Sequence, residues 1–146
     1  FEILAGLLFF IALFRKKILS FFIFIPLAAA HVIEIIGKSL MNHPGPPFLF
    51  FRYNLDFFFP SSYVQAGSSY PSGHSLRVIF VSIIISYLIS KTRIHNVNKI
   101  FFNLLLFIFN GLMLISRISL GEHWPTDVIG GILLGLSSVI FALIFL

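Results

Sequence analysis

Five apolar runs make up most of the 146-residue chain, and they constrain its fold more than any other feature. A bilayer core about 30 Å thick requires about 20 helical residues, and most of the runs approach that length. Only 10% of the residues are charged, against about 25% in soluble domains. We therefore predict an all-α integral membrane helical bundle with five visible transmembrane helices, in Ile3–Phe14, Ile18–Lys38, His74–Ser90, Lys99–Ser116 and Pro125–Leu146.

The runs are predicted to form a single membrane-embedded domain over residues 1–146, whose N-terminus we expect to be truncated. Phe1 is not a start methionine, and the first run is already under way at Ile3. The intact protein would then have as many as six helices. The chain has no cysteine, which excludes disulfides and thiolate nucleophiles. Its oligomeric state is left open by the sequence.

The basic residues are arranged as a topology signal and not as a surface for nucleic acid, although the net charge is +5. They cluster between apolar runs, and the two clusters contain no acidic residue. Loops of this kind are typical of the cytoplasmic side. The segments Ser39–Tyr70 and Arg117–Trp124 should then share the opposite face. The sequence thus predicts a multi-pass cell-membrane protein with its site on the extracytoplasmic face. The clusters are Arg15, Lys16 and Lys17, and Lys91, Arg93 and Lys99.

The pentapeptide Tyr70-Pro71-Ser72-Gly73-His74 comes directly before the third apolar run. Proline and glycine favour a turn, and serine is a good N-cap. The free N–H groups and the positive dipole of a helix start bind anions such as phosphate. The pattern therefore indicates an anion site with His74 beside it, or an ordinary helix start with an incidental histidine.

The segment from Ser116 to Asp127 places an arginine, a histidine and a carboxylate around a second helix start. Pro125 suits the first turn of a helix, so His123 precedes that helix and Asp127 lies about one turn inside it. A carboxylate there can hold one imidazole nitrogen and leave the other free to attack. Arg117 can bind two phosphate oxygens. The alternatives are a snorkelling arginine and an acid that only complements the helix dipole.

Lys38 ends the second run and is suited to a phosphate oxygen, or to anchoring the helix at the interface. Glu34 lies one turn earlier with His31 on the same face, and it could hold Lys38 or form a stabilising interior pair. Because several charged groups converge on one membrane face, where charges are costly and usually functional, the sequence favours a phosphate site.

These residues resemble the signatures of the type-2 phosphatidic acid phosphatase family, in the superfamily that it shares with vanadium haloperoxidases. Pro71 to His74 matches Pro-Ser-Gly-His in full. Ser116, Arg117, His123 and Asp127 match Ser-Arg-x5-His-x3-Asp in full. In the remaining signature, Lys-x6-Arg-Pro, Lys38 and Pro46 are in register, but Gly45 stands at the arginine position.

The resemblance implies a role for each matching residue. His123 would be the nucleophile that forms phosphohistidine, Asp127 would orient it, and His74 would act as general acid and then base. The family needs no metal and no cofactor, and its substrates are lipid phosphates in the membrane. The phosphoryl oxygens would be held by Lys38, Ser72, Gly73 and Arg117.

The glycine at position 45 leaves one phosphate-binding cation unaccounted for. Arg77, one turn beyond His74, is our preferred substitute, and Arg52 and His43 are the others. The predicted function is metal-independent hydrolysis of a lipid phosphomonoester or diphosphate. Two alternatives stay open: a phosphatase-like protein that binds lipid phosphate without turnover, and a phosphotransferase that uses an alcohol acceptor.

Overall fold

The computed structural model of the chain describes residues 22–46 and 68–145. Within these residues the regular structure is helical throughout, which confirms the predicted all-α class. A short 3-10 turn at residues 22–23 leads into the first of four α-helices. We number them α1 (Phe24–Leu40), α2 (Gly73–Lys91), α3 (Asn96–Ser119) and α4 (Pro125–Leu143).

The five predicted transmembrane helices are not matched in the described part of the chain. The run Ile3–Phe14 lies outside the described residues. Four helices are seen within the described residues. Of these, α2, α3 and α4 are long and apolar enough to cross a membrane. The helix α1 has 17 residues, which makes it shorter than the other three. The described residues therefore contain three candidate spans, whereas five were predicted over the whole chain.

Helices α2 and α4 form the centre of the bundle, with α1 packed against both of them. Their apolar side chains build one buried cluster, Ile23, Phe80, Val81, Ile84, Val139 and Ala142. Helix α3 lies at the edge and buries none of its residues, as suits a helix whose surroundings are lipid. The hydroxyl of Ser82 donates to Asn110 Oδ1 at 2.8 Å and joins α2 to α3. This bond holds α3 against the centre of the bundle.

Two glycines of α4 allow it to approach α2 closely. A Cβ on Gly131 would collide with the carbonyl oxygen of Ser72 and lie 2.8 Å from Ser75 Cβ. One turn later, a Cβ on Gly135 would lie 2.7 Å from the carbonyl oxygen of Leu76. Small residues at this spacing are the usual means by which membrane helices come together. They hold the start of α2 against α4.

We expect Gly131→Ala to lower the free energy of unfolding by about 1–3 kcal/mol, because the added methyl overfills a tight helix contact. Gly111→Ala on α3 is the matched control, since a Cβ there meets nothing within 4 Å and alanine favours a helix over glycine. Thermal unfolding in detergent measures the stability of both variants. An unchanged midpoint for Gly131→Ala would show that the α2–α4 contact tolerates the methyl.

The helices alternate in direction, so one end of the bundle collects the C-termini of α1 and α3 and the N-termini of α2 and α4. Three hydrogen bonds tie this end together: Ser72 N–H to the Asp127 carbonyl at 2.9 Å, Ser69 N–H to the His43 carbonyl at 2.8 Å, and Trp124 Nε1 to the Pro44 carbonyl at 3.0 Å. At the other end, Lys99 Nζ donates to the Ser90 carbonyl at 2.8 Å. The predicted site residues that the structure describes all lie at the first end.

Candidate functional site

The starts of α2 and α4 form the floor of the candidate site. The Ser72 hydroxyl caps α2 by accepting the Ser75 N–H at 3.4 Å. Pro125 is the first residue of α4, as the sequence predicts. The hydrogen bond from Ser72 N–H to the Asp127 carbonyl holds the two starts side by side. Two sets of helix-terminal N–H groups, each at a positive dipole end, therefore face one region.

Asp127 is fully buried. Its Oδ2 accepts the Trp124 N–H at 2.9 Å and lies 3.5 Å from His123 Nδ1. Its Oδ1 lies 3.3 Å from His43 Nδ1. The carboxylate thus faces the Nδ1 side of the His123 ring, which leaves Nε2 as the nitrogen that points away from it. This is the orientation that a nucleophilic imidazole requires.

Burial lowers the pKa of His123 below its ordinary value. Asp127 opposes this effect by favouring the imidazolium, whereas the charge of Lys38 adds to it. Because burial outweighs the carboxylate, the neutral ring predominates at neutral pH. A neutral ring has the free lone pair that nucleophilic attack requires.

His74, the second residue of α2, is half-buried and lies within electrostatic range of His123 and of Arg117. Lys38 lies within electrostatic range of His123. The two histidines and two of the predicted phosphate-binding cations therefore share one end of the bundle. The structure brings them together from α1, α2, α3 and the loop before α4.

Arg117 lies in the last turn of α3 and forms a salt bridge with Glu122. Gly121, with a φ of 66°, adopts the left-handed conformation that ends such a helix. The backbone N–H groups of Glu122 and His123 donate to the Arg117 carbonyl at 3.1 and 3.2 Å. The turn therefore places His123 next to Arg117. The buried Nε of Arg117 has no hydrogen-bond partner among the described residues.

The three proposed substitute cations have different positions. Arg77 faces α1, where its Nε donates to His31 Nε2 at 2.8 Å. His43 faces the Asp127 carboxylate. Arg52 lies outside the described residues. Lys38 forms a 2.7 Å salt bridge with Glu34.

Sequence reasoning missed two contacts at this end of the bundle. Neither the contact between His43 and Asp127 nor the packing of the Glu34 carboxylate against Gly73 was predicted. A side chain at position 73 would collide with that carboxylate, because Glu34 Cδ lies 2.6 Å from the Cβ position. The conspicuous glycine in Pro-Ser-Gly-His was the one available signal, since a close approach is a common reason for glycine.

A comparison with protein-family models matches residues 17–146 to the model described as PAP2 superfamily. Searches of curated proteins and of solved structures returned no significant match. The family match covers nearly the whole chain, and with it every described residue of the candidate site. The family indicates phosphatase activity. The chain belongs to the PAP2 superfamily, the type-2 phosphatidic acid phosphatases.

Proposed function

We propose that this chain is a membrane lipid phosphatase that hydrolyses a lipid phosphomonoester or diphosphate through a phosphohistidine on His123. The observation that carries the proposal is the buried carboxylate of Asp127, 3.5 Å from Nδ1 of His123. This pair lies at two adjoining helix starts, one of which presents His74. A buried acid facing an imidazole at an anion-binding helix terminus is suited to phosphoryl transfer.

In the first half-reaction, His123 Nε2 attacks phosphorus and forms a P–N bond. The bond between phosphorus and the lipid oxygen breaks, and that oxygen takes a proton from His74 and leaves as an alcohol. For a diphosphate substrate the leaving group is the lipid monophosphate. Asp127 stabilises the ring as it becomes positively charged.

In the second half-reaction, water attacks the phosphohistidine. His74, now neutral, takes a proton from the water as the new P–O bond forms. The P–N bond breaks, which returns the electron pair to Nε2 of His123 and releases inorganic phosphate. Lys38, Arg117 and the helix start at Ser72-Gly73 stabilise the charge on the equatorial oxygens in both steps.

The distribution of cations supports an extracytoplasmic site. Lys91 and Arg93 are exposed, and Lys99 is half-buried, at the end of the bundle opposite His123. Basic residues favour the cytoplasmic side of a membrane. The proposed active site then faces the other side of the cell membrane, where a lipid in that leaflet can present its phosphate.

The test is release of inorganic phosphate by the detergent-purified protein from phosphatidate, phosphatidylglycerophosphate, a polyprenyl diphosphate and a lipid A-like phosphate. We expect release from at least one of them, continuing in excess chelator because no step uses a metal. Transfer of phosphate to an added alcohol, in place of release, would identify a phosphotransferase.

Gly45 favours one competing function, a protein that binds lipid phosphate without turnover. The family arginine at this position would supply a charge-assisted contact worth about 1.5–3 kcal/mol. Lipid phosphate that binds but is never hydrolysed would support the binding protein and contradict the phosphatase. The presence of His74, His123 and Asp127 together at one end of the bundle favours turnover.

The pH dependence of kcat/KM should report the lowered pKa of His123. The neutral ring attacks, so activity should persist as the pH falls below 6.5, the ordinary histidine value, and disappear at the lowered pKa. Asp127 raises this pKa, so Asp127→Asn should move the acid limb to still lower pH. Lys38 lowers it, so Lys38→Met should move the limb upward. Shifts in the same direction for both variants would contradict the assignment.

A further inference from the structure

A cluster of charges around one buried carboxylate joins α1 to α2 beside the proposed active site. Its centre is Glu34, whose residue is only 4% exposed. Lys38 Nζ donates to Glu34 Oε1 at 2.7 Å, and Arg77 Nη2 lies 3.9 Å from Oε2. Two cations and one carboxylate leave one net positive charge. A cluster with surplus charge is costly to bury unless an anion completes it.

Arg77 is fixed on one edge of its guanidinium. His31 Nδ1 lies 2.8 Å from the Leu27 carbonyl, a bond in which the ring nitrogen must be the donor. This tautomer leaves Nε2 as an acceptor, and Nε2 receives Arg77 Nε–H at 2.8 Å. The Nη edge remains, and among the described residues neither Nη nitrogen has a hydrogen-bond partner. Four oriented N–H donors are thus available on a side chain that is 21% exposed.

The cluster borders the groups that the proposed mechanism uses. The Glu34 carboxylate packs against Gly73, the first residue of α2. Arg77 lies within electrostatic range of His74, and Lys38 lies within range of His123. Each of the two cations therefore lies near one of the two histidines. The described residues that follow α1, 41–46, contain no lysine or arginine.

We infer that Arg77 is a phosphate-binding residue that acts with Lys38 as a cationic clamp, and that Glu34 and His31 are the positioning residues of that clamp. The inference deepens the proposed function and rests on it for the identity of the bound group, a phosphoryl dianion. His31 holds the Nε edge, so that the Nη edge can bind two oxygens side by side. Glu34 aligns Lys38 through their salt bridge.

Arg77→Ala tests the clamp through binding of inorganic phosphate, measured both as competitive inhibition and as protection against thermal unfolding. We expect phosphate affinity and kcat/KM to fall about 10- to 100-fold, the loss typical of a charge-assisted contact. Arg77→Lys should recover only part of this, because a point charge cannot bind two oxygens. Arg93→Ala, on the exposed segment after α2, is the matched control and should change neither value.

Glu34→Gln separates positioning from binding. The amide keeps the shape of the side chain but not its charge, so the clamp gains net positive charge and loses alignment. We expect kcat to fall at least about tenfold while phosphate affinity is kept or increased. A purely structural ion pair would lower the unfolding temperature and leave kcat unchanged in the folded protein, and that result would overturn the role of Glu34.

A second-site change tests whether Arg77 replaces a cation in the loop after α1. A Cβ on Gly45 would meet only Ser69 Cβ, at an ordinary 3.7 Å, so a side chain can begin there without a clash. In the Arg77→Ala background, Gly45→Arg should recover part of the lost phosphate affinity. Recovery of phosphate affinity supports the clamp. Unchanged phosphate affinity in Arg77→Ala alone overturns it.

The clamp and the proposed function can fail separately. If turnover requires His123 but Arg77→Ala behaves as the unmodified protein, the clamp is wrong and the phosphatase stands. If no lipid is hydrolysed but inorganic phosphate binds and its affinity depends on Arg77, the phosphatase is wrong and the clamp stands.

Discussion

His123→Ala is expected to lower phosphate release by at least about a thousandfold, the scale seen when an enzyme loses its nucleophile. The imidazole is the one group in the proposed mechanism that forms a bond to phosphorus. Its removal therefore stops both half-reactions, while Lys38, Arg117 and the helix starts can still bind phosphate. The measurement is initial-rate phosphate release, with binding of inorganic phosphate followed in the same preparation. We expect the affinity of His123→Ala for inorganic phosphate to change little.

Trapping the phosphohistidine intermediate, with a substrate labelled on its phosphoryl group, makes this prediction sharper. Unmodified protein quenched during turnover should carry label that is lost in acid and kept in base, as a P–N bond requires, and His123→Ala should carry none. His95→Ala is the matched control, because His95 is an exposed N-cap at the opposite end of the bundle. Substantial turnover or labelling in His123→Ala would remove His123 as the nucleophile.

The starts of α2 and α4 were the part of the fold that the sequence predicted best. Pro125 begins α4 as expected, and α2 begins one residue before the predicted His74. In both cases the signals are local, since proline, serine and glycine act through the adjacent backbone. The start of α3 was predicted at Lys99 but lies at Asn96. Apolar periodicity cannot detect a polar first turn, and the cap there is the less usual His95.

The candidate site was predicted in outline, because helices that alternate in direction bring their ends together whatever their detailed packing. Residues near the ends of runs, such as Lys38, His74 and Arg117, could therefore be assigned to one face. The contact between His43 and Asp127 could not, because it joins residues 84 positions apart through a loop without periodicity. Arg77 was expected near the site, but its bond to His31 depends on how α1 rotates against α2.

The substitution of His74 should produce a second large effect, and one that depends on the substrate. His74→Gln is expected to slow hydrolysis of a lipid phosphate about 10²- to 10⁴-fold, the usual contribution of a general acid or base. A lipid alkoxide leaves poorly unless it is protonated, so loss of the acid impairs the first half-reaction. An aryl phosphate differs, because its phenolate leaves without a proton. With that substrate only the second half-reaction still needs His74, as the base that activates water.

The variant should therefore accumulate phosphohistidine when it is given an aryl phosphate. Rapid-quench measurements should show a burst of phenol close to one equivalent per protein, followed by slow turnover, with the label on His123. His95→Gln should behave as the unmodified protein. An equal loss of rate for the lipid and the aryl substrate, without a burst, would mean that His74 does not transfer the proton and acts only in binding. A burst links both proton transfers to one side chain, because an acid that has protonated the leaving group is left in the form that water activation requires.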